Sequence, residues 1–113
     1  MESIARIKNL HSTARKARLV ADAVRGKMVG EALNLLDLSI HKKVSVDIAK
    51  VVKSAVANIQ SKHSETAVNV DEFHIKEIRV DEGPVMKRFR PRAKGSASRI
   101  LKRMCHISVT VAN

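Results

Sequence analysis

Cys105 stands beside His106, and Asp81 beside Glu82. A thiol next to an imidazole suggests a nucleophile, and paired carboxylates suggest a metal-dependent nuclease. Both readings fail if these segments are strands, because neighbours on a strand point to opposite faces and cannot readily share a proton or an ion. Cys105 then reads as a small core residue, since free cysteine is among the most buried residue types. Asp81 and Glu82 read as partners for Arg99 or Arg103 across a ribbon. The five histidines, His11, His41, His63, His74 and His106, have no close ligand spacing, and one cysteine cannot complete a zinc site. Neither a metal nor a cofactor is expected, no phosphate-cradling glycine loop is present, and the chain does not read as an enzyme.

Charge is the chemistry that remains. The 113 residues carry 22 Lys+Arg against 11 Asp+Glu, a net charge of +11 and a pI near 10.4. Such a domain repels itself and attracts nucleic acid or an acidic membrane. Residues 1–82 hold 14 basic and 11 acidic residues, whereas residues 83–113 hold eight basic and no acidic ones. The eight are Lys87, Arg88, Arg90, Arg92, Lys94, Arg99, Lys102 and Arg103. With a mean hydropathy of −0.15 and no long apolar run, no membrane span is expected. The first fifteen residues interleave charge with apolar residues, so no secretory leader is expected and the chain should stay where it is made. One cysteine permits no internal disulfide.

The elements that must position these charges follow from periodicity. Ala17, Val20, Ala21 and Val24 recur at i, i+3, i+4 and i+7, which predicts a helix over 14–25 capped by Ser12 or Thr13 and stopped by Gly26. Its other face carries Arg15, Lys16, Arg18 and Arg25, with Asp22 spaced to pair with Arg18. A second helix is expected over about 30–38, with Ala32, Leu35 and Leu36 inward. A third begins near Ser45, an N-cap with Asp47 in the first turn, and carries Ile48, Val51, Val52, Ala55 and Ile59. Lys42 and Lys43 precede it, where the helix dipole disfavours cations and an anionic partner would remove the conflict.

After Ser64 the pattern alternates, through Val68 and Val70, Phe73 and Ile75, then Ile78 and Val80. Its phase slips twice, which predicts a bulge or turn near Asp71 and an irregularity near Lys76 and Glu77. Cys105, Ile107, Val109 and Val111 alternate with His106, Ser108 and Thr110 as a half-buried strand. Ile4 to Ile7 supply a third, edge strand. The expected fold is α+β: three helices packed on a small three-stranded antiparallel sheet, with a long projecting β-hairpin. Residues 1–113 form a single domain, with a globular body over about 1–80 and 104–113 and an extended hairpin over about 81–103.

The segment DEGPVMKRFRPRAKGSASRI shows no period that could bury a face. Two arms of about twelve residues at ~3.3 Å each would reach ~40 Å, against a radius of gyration of ~13 Å for a compact domain of this size. The ribbon must therefore project. Pro84 and Pro91 cannot donate to a ladder, and Gly95 offers a turn position. A two-stranded ribbon is marginally stable in water, and its cations repel one another, so it should order against a dense array of phosphates through counterion release. A disordered basic tail is disfavoured because flanking strands hold both ends.

In these residues the chain resembles the large-subunit ribosomal protein L twenty-two family, in its bacterial or organellar form. The resemblance is densest at ARKARLVADAVRGK (14–27), VDEGPVMKRFRPRAKGSASRI (80–100) and HISVTV (106–111). It implies a structural constituent of the large ribosomal subunit that supports assembly, with its hairpin running through rRNA to line the polypeptide exit tunnel near where macrolides bind. It implies rRNA contacts from Arg15, Lys16, Arg18, Arg25 and Lys27 on the first helix and from Arg92, Lys94, Arg99, Lys102 and Arg103 on the ribbon stem. It also implies a tunnel-lining tip of Val85, Met86, Lys87, Arg88, Phe89, Arg90 and Pro91. The implied partners are large-subunit rRNA, neighbouring ribosomal proteins and the nascent polypeptide, for a monomer within a ribosome of the cytoplasm or an organelle. Ser96 departs from the basic residue many relatives carry there. The competing reading is an architectural DNA-binding protein with a basic β-ribbon, which would bind as a two-fold dimer. Single-strand RNA modules are disfavoured, because they stack bases on aromatics and this chain has only Phe73 and Phe89.

Overall fold

The computed structural model describes residues 2–63 and 69–113. In chain order these form β1 (Glu2–Leu10), α1 (Ala14–Val24), α2 (Val29–Asp37), α3 (Lys42–Lys62), β2 (His74–Pro91) and β3 (Ala97–Ala112). Short 3-10 turns cover Val70–Glu72 and Ala93–Gly95. The sheet is antiparallel in the order β1-β3-β2, so the last strand is central and the expected α+β architecture holds.

Alternation decides which side of the sheet is covered. Cys105, Ile107, Val109 and Val111 of β3 are buried on one face. Ala5 lies opposite Val109 from β1, while Ile78 and Val80 lie opposite Val109 and Ile107 from β2. α1 packs against β2, and α3 against β1 and β3, while α2 lies on α3. Both expected phase slips are present. The 3-10 turn at Val70–Glu72 absorbs the first. A register shift between Ile75 and Glu77 absorbs the second, returning Ile78 to the core face three residues after Ile75. Val70 thus belongs to a turn rather than a strand, and Val68 lies outside the described residues.

The helices depart from expectation at their edges. α1 has its buried stripe and its Thr13 cap, whose hydroxyl accepts from the Lys16 N–H, and Gly26 takes φ +78° just beyond its end. In α2 the stripe is Val29, Ala32 and Leu36, which leaves Leu35 40% exposed on its flank instead of inward. α3 begins at Lys42, not near Ser45. Val44 is buried with Ile48 and Val52, and holding it there winds one more turn at the front. Ser45 is therefore a buried helical residue whose hydroxyl has no partner among the described residues, and Asp47 falls beyond the first turn.

β2 and β3 continue as a two-stranded ladder beyond the core, to Pro91 opposite Ala97. The register shifts once more between Glu82 and Val85. Gly83 lies there against β3, where a Cβ would stand 3.2 Å from the Met104 carbonyl carbon and 3.3 Å from the His106 ring, so a side chain would require β3 to give by a few tenths of an ångström. Val80 and Met104 are the last buried residues, and none is buried from Val85 to Arg103. The molecule measures 67 × 26 × 16 Å with a radius of gyration of 17.4 Å, which a compact domain of this length does not reach.

The unpartnered hydroxyl of Ser45 gives a test of this packing. Ser45→Ala removes an unsatisfied buried polar atom and raises helix propensity, so urea unfolding should show a gain of about 1 kcal/mol. A loss of that size would mean that the hydroxyl is satisfied.

Candidate nucleic-acid interface

Residues directly opposite in an antiparallel ladder share a face, so the pairing sorts the ribbon's charges. Met86 opposes Lys102, Arg88 opposes Ile100 and Arg90 opposes Ser98, which puts Arg88, Arg90 and Lys102 on one face. Val85 opposes Arg103, Lys87 opposes Leu101 and Phe89 opposes Arg99, which puts Lys87, Arg99 and Arg103 on the other. Arg92 and Lys94 belong to the closing turn. Phe89, 73% exposed, lies beside the Arg99 position as a flat apolar surface available to a base or another apolar group.

The turn itself corrects one expectation. Arg92 N–H donates to the Ser96 carbonyl, with Lys94 and Gly95 both at positive φ, so the chain reverses over 92–96. Val85 to Pro91 form the outgoing arm, with Val85 at its root, and are not the geometric tip. Arg92 and Lys94 sit at the tip instead of on the stem. Gly95, the turn position the sequence offers, lies within this reversal, whereas the resemblance places the tip earlier in the arm. Ser96 donates its hydroxyl to the Ala93 carbonyl and Arg92 Nε donates to Ser98 Oγ, so both help close the turn.

Arginines of α1 divide into two kinds. β2 is an edge strand, and an uncovered edge exposes carbonyls. Arg18 donates from Nε and Nη2 to the Val80 carbonyl at 3.3 and 3.0 Å, and Arg25 donates from Nη2 to the Ile78 carbonyl at 3.0 Å. Nearer the start of β2, the linker after α1 takes over: Gly26 N–H bonds the Ile75 carbonyl, and Ile75 N–H bonds the Lys27 carbonyl. Asp22 pairs with Arg25 instead of Arg18, which is engaged by the strand. Arg15 and Lys16 make no such contact. With Arg18, they line a hollow of about 540 Å³ at the root of the ribbon, beside Glu82, Val85 and Arg103. Lys27 lies beyond the end of α1, away from that hollow.

The acidic pair also departs from expectation. Among the described residues the ion pairs are Asp22–Arg25, Glu2–Lys76 and Glu77–Arg79. Asp81 and Glu82 instead sit opposite His106 and Cys105, and neither joins these ion pairs with Arg99 or Arg103. His106 has turned away from Cys105 and accepts, through Nδ1, the Asn9 N–H at 3.0 Å. Cys105 is fully buried, and burial pushes its thiol above the usual range, which outweighs the opposing influence of Arg18. Among the described residues no group of His, Cys, Asp and Glu is arranged to hold a metal ion, and no helix is long and apolar enough to cross a membrane.

A small α+β body extending a two-faced cationic ribbon defines a protein whose surface suits a polyanion. Residues 5–112 match the family described as Ribosomal protein L22p/L17e, and the chain belongs to that family. It is accordingly a structural, non-enzymatic constituent of the large ribosomal subunit. The match lends no support to the DNA-binding alternative.

Two measurements check this division of labour. Arg18→Ala should cost about 1 kcal/mol in urea unfolding by uncovering an edge carbonyl, whereas Arg15→Ala should stay within about 0.5 kcal/mol of the unaltered protein. Native Cys105 should react with a thiol reagent at least roughly tenfold more slowly than in the urea-unfolded chain. Because the folded chain holds that thiol protonated, stability should fall as pH rises past the ordinary thiol range, where only the unfolded chain ionises.

Proposed function

We propose that this chain binds large-subunit rRNA through its ribbon and the start of α1, supports subunit assembly, and presents the outer part of the ribbon to the nascent polypeptide in the exit tunnel. The observation that carries the rRNA reading is the division of the ribbon's cations between both faces and the turn. A ribbon laid on a membrane or along a flat surface needs charge on one side. Cations on both sides are neutralised together only where phosphates surround the ribbon, as they do in folded RNA. Each phosphate engaged releases condensed counterions, which favours binding without base readout. Arginine, five of the ribbon's eight cations, can fork across phosphate oxygens or stack on a base.

Family membership and reach support the tunnel assignment. A ribbon that crosses an rRNA layer presents its far end, around Phe89 to Gly95, on the other side. Val85 and Met86, at the root, belong to the rRNA-facing stretch. One copy inserted per subunit suffices.

In a lysate held at magnesium levels that keep subunits intact, the tagged protein should sediment stoichiometrically with the large subunit. Migration with DNA or as a free dimer would reject the reading. Affinity of the purified protein for large-subunit rRNA should fall by a factor of ~10³ or more between about 50 and 200 mM salt, from some six to eight phosphate contacts. Excising Met86 to Arg88 should leave the body folded and incorporated. It removes an odd number of residues from one arm and so turns Phe89 to Pro91 onto the opposite face. The expected result is an altered macrolide response or altered nascent-chain passage in ribosomes carrying the variant.

A further inference from the structure

A second groove, of about 660 Å³, opens where the start of α1, the turn into α3 and the root of β3 converge. Its charged lining is Lys16, Lys42, Lys43, Lys102 and Arg103, with no carboxylate among the described lining residues. The neighbouring hollow shares Lys16 and Arg103 but contains Glu82. None of the five cations takes part in the ion pairs of the described residues, which involve Arg25, Lys76 and Arg79. Five like charges around one concavity raise each other's energy, and the walls concentrate their field. Lys42 and Lys43 are the first two residues of α3, the end of a helix that disfavours cations, and His41 provides no side-chain cap there. Folding brings residues 16, 42 and 103 together against these penalties, and an anion would relieve them.

We propose that this groove holds a bend of the rRNA backbone, seating at least two phosphates between Lys42–Lys43 and Lys102–Arg103. This rests on the rRNA-binding reading and extends it to the start of α3, where Lys42 and Lys43 join Lys16 of the first helix and Lys102 and Arg103 of the ribbon around one groove. RNA rather than an acidic peptide follows from continuity: Lys102 and Arg103 belong to the groove and to the ribbon, so the groove is the inner end of one basic track.

The test compares the full chain with K42Q/K43Q and with a ribbon control, R88Q/R99Q, binding to transcribed large-subunit rRNA. K42Q/K43Q should lower the slope of log affinity against log salt by about 2. It should also abolish backbone protection at a site distinct from that lost in the ribbon control. Its melting temperature in the absence of RNA should rise, because like charges and the opposing helix end are relieved, so a weaker complex cannot be attributed to unfolding. An unchanged slope and footprint, with the ribbon control impaired, would overturn the groove assignment and leave the rRNA reading intact. Polyglutamate that shifts the Lys42 and Lys43 amide resonances where rRNA does not would overturn it in favour of an acidic protein partner. Failure of the unaltered chain to bind rRNA would remove the functional reading and the groove with it.

Discussion

At Leu10 the chain leaves the sheet, and β3 loses one of its two neighbours. Up to Cys105 the central strand is paired on both sides and covered by helices. Beyond it, β3 has only β2 and water. The Asn9–His106 hydrogen bond and the positive φ of Asn9 mark this departure, and the close approach of Gly83 to Met104 marks the same level on the other side. The ladder crosses this boundary carrying its hydrogen bonds but not its hydrophobic support. A two-stranded ribbon without a packed face is marginal in water, and eight cations make it more so. Neutralising those cations would therefore stabilise it, and the body serves to hold its two roots in register.

α1 illustrates how one helix serves both needs. Its apolar stripe packs against β2, and two of its arginines reach past that contact to the edge carbonyls of Ile78 and Val80. A guanidinium suits this role because its several donors can cover a carbonyl while its charge stays near solvent. The cations nearer the start of α1 line the hollow at the ribbon's root instead. Basic residues that look equivalent along the chain therefore separate into those that close the sheet and those that face outward.

The same separation explains where the free protein is under tension. Its core is aliphatic, with Phe73 as the buried aromatic, and the body must still tolerate Lys16, Lys42, Lys43, Lys102 and Arg103 around one groove. Stability would improve if some were neutral, and the proposed rRNA contact would relieve the same repulsion by stabilising the folded, bound state.

Local spacing made much of this legible. The α1 stripe with its Gly26 stop, the alternation of Cys105 to Val111, the slips near Asp71 and Lys76, and the need for a projecting basic hairpin all follow from periods of 3.6 and 2 and from an acid-free segment. These features depend on residues a few positions apart, whose geometry the backbone dictates. Ser45 misled because a good capping residue yields to the burial of Val44. Arg18 and Asp22 misled because helical spacing permits their pairing, but a strand 62 residues away takes Arg18 first. The edge-capping arginines and the groove joining Lys16, Lys42 and Arg103 bring together positions remote in the chain. Their proximity is set by how the helices pack and by the register of β2 on β3, which no local pattern encodes.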